Sequence, residues 1–163
     1  MSSWPGGSAR IAVRPDGTLV VAESGAGRIL SIGPDDSIGV LADGLGRPAG
    51  IAGDYVSDEE RGTVHRLTDA GPERVADGLD APQGLAVHGD RVFVVEAGKR
   101  RLLSIDPHTG DTRAGRDLDL PARRDVALTA HGMPGVPQPF AGLAVAPDGT
   151  LHIAADGHVV ELR

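Results

Sequence analysis

The feature that most constrains the fold of this chain is an internal repeat. The segment LADGLGRPAGIA at residues 41–52 returns as VADGLDAPQGLA at residues 75–86, an offset of 34 residues. The run GLAV at 84–87 returns unchanged at 142–145. A unit this short cannot bury its own apolar faces, so its copies must pack against one another.

Each unit shows the same order of short strands. A GLAV-like run is the first strand, and the clearest second, third and fourth strands are RVFVVE at 91–96, RILSI at 28–32 and IGVLA at 38–42. An Asp-Gly pair predicts a two-residue hairpin in two of the units, at Asp16-Gly17 and Asp148-Gly149, because both central residues can adopt positive φ. No stretch holds a helical period over ten residues. The 24 glycines and 12 prolines among 163 residues also favour short strands joined by tight turns.

Four antiparallel strands repeated about every 40 residues are typical of β-propeller blades. The sequence therefore predicts one all-β domain, residues 1–163, with about four blades, of which the last has three strands. The predicted blades are residues 9–45, 46–79, 80–116 and 140–163, with a loop insertion at 117–139. Four blades can close into a ring alone, or a second copy of the chain can complete the ring as a homodimer and cover the exposed strand edges. The chain can also be an excised part of a larger propeller, and the sequence leaves all three arrangements open.

Composition argues against several classes of partner. The net charge of −7 argues against nucleic-acid binding, because phosphate contacts require lysine and arginine. Aromatic residues are only 2% of the chain, so there is no platform on which bases could stack. No apolar stretch approaches the roughly 20 residues that span a bilayer, and no signal peptide is visible. We expect no membrane partner and a cytoplasmic location, although a domain cut from an exported protein would have the same features.

The order P-x-G-[LI]-A-V, then D-G-x-L-x-V-A, then R-[IL]-L-S-I resembles NHL repeats. It is also similar to the blades of the gluconolactonase (senescence-marker) family and of virginiamycin B lyase. The resemblance covers residues 9–162 and implies a β-propeller. It leaves the activity open, because these families use one scaffold for hydrolysis, elimination and binding.

The gluconolactonase family carries metal ligands just before the glycine that opens certain blades. The matching positions here are Ala49, Gln83 and Ala141. Alanine cannot ligate a metal, and glutamine is a poor ligand beside a carboxylate. The resemblance therefore does not carry metal-dependent lactone hydrolysis over to this chain, and we predict no cofactor.

Acidic residues recur where the second strand of each unit ends: Glu23, Asp58 and Glu96, with Asp156 displaced by one position. In one interpretation each carboxylate caps a turn or pairs with an arginine at its blade junction. In the alternative they converge on a divalent cation, Ca²⁺ or Mg²⁺, in a divergent lactonase-like hydrolase or lyase. The distances between the carboxylates separate these interpretations.

We predict a binding scaffold rather than an enzyme, with a small molecule or a protein bound at the mouth of the channel. Insertions in repeat proteins tend to gather on the binding face, so the P-x-G loops and the 117–139 insertion define this mouth. The candidate ligand-binding residues are Arg47, Gln83 and His131. Gln83 offers a donor and acceptors where its counterparts are alanine, and Arg47 lies in the equivalent loop. His131 carries an imidazole, a group that can act as a general base near neutral pH.

Overall fold

The computed structural model describes residues 9–118, 141–155 and 158–163 of the chain. The described residues form fifteen strands: β1 (Ala9–Val13), β2 (Leu19–Glu23), β3 (Arg28–Ile32), β4 (Ile38–Ala42), β5 (Pro48–Ala52), β6 (Tyr55–Asp58), β7 (Thr63–Thr68), β8 (Gly71–Ala76), β9 (Pro82–His88), β10 (Arg91–Glu96), β11 (Arg101–Ile105), β12 (Thr112–Asp117), β13 (Gly142–Val145), β14 (Leu151–Ala155) and β15 (His158–Leu162). Within the same ranges there is no helix long and apolar enough to cross a membrane.

The strands form four separate antiparallel sheets, each made of strands consecutive in sequence. Strands β1–β4, β5–β8 and β9–β12 form four-stranded sheets, and β13–β15 form a three-stranded one. We call these sheets blades 1 to 4. The first strands lie side by side in chain order, β1 against β5, β5 against β9, and β9 against β13. This radial arrangement is a β-propeller and confirms the predicted fold class; three strands of the last blade lie among the described residues.

Successive residues of a strand point to opposite faces of a blade. The apolar side chains on each face form the core between that blade and its neighbour. Apolar side chains from facing blades meet in three layers: Val20, Ala22, Ile29, Val56 and Leu67 between blades 1 and 2; Val64, Leu85, Val92, Val94, Leu103 and Ile105 between blades 2 and 3; and Val95, Leu102, Leu151 and Ile153 between blades 3 and 4. The inner blades are thus apolar on both faces.

The antiparallel order places two sets of loops at one end of the blades. These are the loops entering blades 2 and 3, residues 43–47 and 77–81, and the turns between second and third strands, residues 24–27, 59–62 and 97–100. We call this the entry end. It is the mouth that the sequence predicts as the binding face. The predicted insertion begins inside β12, which runs to Asp117, and its residues 119–139 lie outside the described part of the chain.

The two-residue hairpin predicted at Asp16-Gly17, which lies at the opposite end of the blades, is wrong in its loop length. The Arg14 amide bonds to the Thr18 carbonyl at 2.9 Å, so the loop has three residues rather than two. Of the Asp-Gly pair, only Gly17 adopts positive φ, at 85°. The preceding Pro15 explains the difference, because its fixed φ favours a type I turn followed by a left-handed glycine.

Adjacent first strands of blades 2, 3 and 4 approach closely near Gly50, Gly84 and Gly142. The Gly84 amide donates to the Ala141 carbonyl of the next blade at 2.9 Å. Between blades 2 and 3, the Ser57 hydroxyl accepts from the Gly50 amide at 2.9 Å and donates to the Gln83 carbonyl at 2.6 Å. Hydrogen bonds therefore join blades 2, 3 and 4 near the start of their first strands.

Candidate functional site at the entry end

Asp58 ends β6 and is fully buried. One carboxylate oxygen accepts from the Gly46 amide at 2.7 Å. The other accepts from the amides of Arg47 at 2.9 Å and Arg61 at 3.1 Å. The carboxylate therefore fixes both the loop that enters blade 2 and the turn that follows β6.

Glu96 has the same function one blade later. Its fully buried carboxylate accepts from the Asp80 amide at 2.9 Å, in the loop that enters blade 3. It also pairs with Lys99 at 3.3 Å and with Arg101. Asp80 follows Leu79 as Gly46 follows Leu45 in the sequence repeat, so the two acids hold equivalent loops.

Glu23, the third acid, pairs with Arg28 of its own blade. All three carboxylates are thus bound at their own blade turns, as in the first of the two interpretations. Over the described residues, no group of three or more His, Asp or Glu side chains could hold a metal ion. Asp156 lies outside this part of the chain.

These contacts set the acidity of the two buried acids. Burial alone would raise the pKa of Asp58, but hydrogen bonds from the amides of Arg47, Gly46 and Arg61 outweigh it and hold the pKa below its ordinary value. Burial would also raise the pKa of Glu96. The contacts with Arg101, the Asp80 amide and Lys99 lower this pKa by more, so it too lies below its ordinary value. Both groups are carboxylates at neutral pH.

The lowered pKa of Asp58 predicts a dependence of stability on pH. A carboxyl group with a lowered folded-state pKa stabilises the fold fully above its unfolded pKa of about 4, and this contribution is lost as pH falls through the folded-state pKa. We expect the stability difference between the wild type and Asp58→Asn to be constant from about pH 6 to 8 and to shrink below about pH 4. Urea unfolding across this pH range measures it. A difference that stays unchanged in acid would contradict the assigned role of the carboxylate.

Gln83 is only 3% exposed, and its amide group joins neighbouring blades. Its oxygen accepts from the Ala141 amide of blade 4 at 2.7 Å, and its nitrogen donates to Glu59 of blade 2 at 3.1 Å. Gln83 thereby orients the Glu59 carboxylate at the entry end. Its direct contact with a ligand stays a prediction.

Arg47 contacts the same carboxylate oxygen, with its guanidinium 2.9 Å from Glu59 Oε1. The Glu59 amide also donates to the Arg47 carbonyl at 2.9 Å. The structure therefore brings Arg47 and Gln83 together through Glu59, which the sequence analysis did not single out. His131, the third predicted residue, lies outside the described residues.

A polar cleft of about 280 Å³ opens beside this network, between the turn after β6 and the loop that enters blade 3. It is lined by Arg47, Glu59, Glu60, Arg61, Gly62, Leu79, Asp80 and Ala81. Ala81 has a φ of 49°, a left-handed conformation that costs about 1–2 kcal/mol in a non-glycine residue. Such strain concentrates at functional sites. The sequence signal for this cleft was the charged run EERG at residues 59–62, whose two acids have no counterpart in the equivalent turns SGAG at 24–27 and AGKR at 97–100.

No protein-family model matches the sequence, and no curated protein matches it. Solved structures do resemble the fold. Virginiamycin B lyase from Staphylococcus aureus has a TM-score of 0.67 and 18% identity, over 94% of this chain and 54% of that one. A chain of a nidogen/laminin complex has a TM-score of 0.72 and 15% identity, over 93% and 59%. A gluconolactonase from Xanthomonas campestris has a TM-score of 0.66 and 15% identity, over 93% and 55%.

The chain therefore spans a little over half the length of each of these structures. At 15–18% identity the likeness concerns the fold alone. It confirms the resemblance inferred from the repeat: this chain has the β-propeller fold seen in virginiamycin B lyase and the gluconolactonases.

Proposed function

We propose that this chain is a β-propeller binding scaffold whose entry-end cleft holds a polar segment of another protein. The observation that carries the proposal is the lining of the cleft, in which two arginines and three acids surround one large apolar side chain, Leu79. Small-molecule sites are usually concave and mostly apolar. A charged cleft that includes arginine suits a protein surface better, because arginine is enriched at protein interfaces.

The electrostatics of the strand-end acids support binding over catalysis. A general acid or base works best with a pKa near the operating pH. Hydrogen bonds and ion pairs hold the pKa values of Asp58 and Glu96 below their ordinary values instead. These two groups stabilise the loops around the cleft and are poorly suited to transfer protons near neutral pH.

Peptides selected from a random display library on the immobilised chain test the proposal. Arg61 is exposed and lines the cleft. We therefore expect Arg61→Ala to reduce the affinity for the selected peptides by about tenfold, or 1.4 kcal/mol of binding free energy. Arg66→Ala is the matched control, because Arg66 is an exposed arginine of the same blade outside the cleft. Isothermal titration measures both.

Equal binding by wild type, Arg61→Ala and Arg66→Ala would overturn the proposed site. Turnover of a panel of lactones and cyclic esters by the purified chain would instead favour the alternative, a divergent hydrolase or lyase. That activity should be absent from the wild type if the chain is a binding scaffold.

A further inference from the structure

One face of blade 1 is apolar and uncovered. The strand register places Ile11, Val21, Leu30 and Val40 in one row across this face and Val13, Leu19, Ile32 and Ile38 in the next. Four of these eight apolar side chains are largely exposed in the described part of the chain: Ile11 (62%), Val13 (68%), Ile38 (71%) and Val40 (59%). We call this the outer face of blade 1. Exposed apolar patches of this kind mark interaction surfaces.

The equivalent face is covered in the other blades. Leu85 in blade 3 corresponds to Ile11 in the repeat, and it is 4% exposed because it packs against blade 2. In blade 4 the corresponding Leu143 and Val145 pack against blade 3. In each case the cover is the opposite face of the preceding blade. Among the described residues, no blade packs against this face of blade 1.

Blade 4 has the complementary free surface. Its face away from blade 3 carries Ala144, Ala154 and Val159, all exposed in the described part of the chain. The partly exposed His152 lies on the same face, between Ala144 and Glu161 in the register. Ala144 corresponds to Ala86 of blade 3, which is 4% exposed because it packs against blade 4. Glu161, on the same face, lies 3.6 Å from Arg163 and so has a counter-charge. Small apolar side chains on this face match the larger ones on the outer face of blade 1, as they do at the inner junctions.

Going beyond the binding function, we propose that two copies of this chain close one ring, with the outer face of blade 1 in each copy packed on blade 4 of the other. The two contacts are identical and are related by a twofold axis along the channel, so the assembly closes without leaving an open end. The ring has eight blades, within the usual range of four to eight. The occupant is a second copy because this chain itself carries the complementary face.

Sedimentation equilibrium of the 163-residue chain tests the ring. We expect about twice the 16.7 kDa mass of one chain. Ile38→Lys on blade 1 and Ala154→Lys on blade 4 should each reduce the mass to that of one chain, with the circular dichroism of the fold retained because both sites are exposed. Thr112→Lys adds the same charge at an exposed site of β12 on blade 3 and should remain a dimer.

Mixing the two monomeric variants separates this ring from other dimers. A mixed pair of Ile38→Lys and Ala154→Lys places both charges in one contact and leaves the second contact intact, so mixing should restore a dimer. If blade 1 packed on blade 1, Ala154→Lys alone would stay dimeric. A wild-type monomer, or an open series of larger species, would also overturn the ring. Peptide binding is measured separately with Arg61→Ala, so failure of either proposal is distinguishable from failure of the other.

Discussion

Replacing Gly84 with alanine should destabilise the fold by about 3 kcal/mol. A Cβ atom at this position would lie 2.5 Å from the Ala141 oxygen and 2.6 Å from the Leu143 nitrogen. Both atoms belong to the backbone of β13 or the residue before it, so neither can rotate away as a side chain would. The added methyl group forces blades 3 and 4 apart and weakens the apolar layer between them. Urea unfolding followed by circular dichroism measures the loss.

Gly39→Ala is the matched control. Its Cβ would lie 2.9 Å from the Ser31 hydroxyl, a side-chain atom that can rotate away. Neither Gly39 nor Gly84 adopts positive φ, so backbone strain does not distinguish the two substitutions. We expect Gly39→Ala to change stability by less than about 1 kcal/mol. Similar losses for both variants would show that the close approach of the first strands does not explain the glycine at residue 84.

Gly84 also illustrates how far the sequence predicts this fold. The recurrence of P-x-G in the sequence marked where the first strands of blades 2 and 3 begin, at Pro48 and Pro82. The need for glycine there arises from the distance between neighbouring blades, and a single sequence does not contain that distance. Periodicity predicts which face of a strand is apolar, while packing decides how closely two such faces meet.

Strand β12 shows where periodicity gave no signal. All six of its residues are exposed, so TRAGRD lacks the apolar alternation that predicts a strand. The repeat nevertheless continues in the backbone, because the Leu118 amide donates to the Arg100 carbonyl at 2.8 Å. Leu45 and Leu79 make the same bond to Gly27 and Gly62, at 2.9 and 3.0 Å. The fourth strand of blade 3 is therefore recognised by its backbone hydrogen bonds and not by its sequence pattern.

The candidate site was predictable to a similar extent. The recurring acids were visible in the sequence, but their partners are mostly backbone amides, and every residue except proline has one. Only the structure therefore shows which loop each carboxylate holds in place. Arg61 lies in a turn and Asp80 in a blade-entry loop, each at a position where the residue differs between units, so the repeat did not mark either as a cleft residue.

Replacing Asp58 with alanine should destabilise the fold by about 3 kcal/mol, because the amides of Gly46, Arg47 and Arg61 all lose their acceptor. Bonds to a charged acceptor are also stronger than neutral ones. Asp16→Ala is the control, since the exposed Asp16 carboxylate accepts from one amide, that of Thr18 at 2.9 Å. That substitution should cost less than about 1 kcal/mol. Urea unfolding compares the two variants.

Amide hydrogen exchange measured by NMR locates the effect of Asp58→Ala. If the carboxylate clamps the loop that enters blade 2, the Gly46 and Arg47 amides should exchange faster in the variant under conditions where the fold persists. The Gly84 amide lies in blade 3 and donates to the Ala141 carbonyl of blade 4, so it should lose less protection than the Gly46 and Arg47 amides. Uniformly faster exchange at all three amides would instead indicate global destabilisation without a local clamp. Because Arg47 lines the cleft, selective loosening of this loop should also reduce the affinity for the peptides selected on the wild type. Asp58 would then affect binding without contacting the ligand.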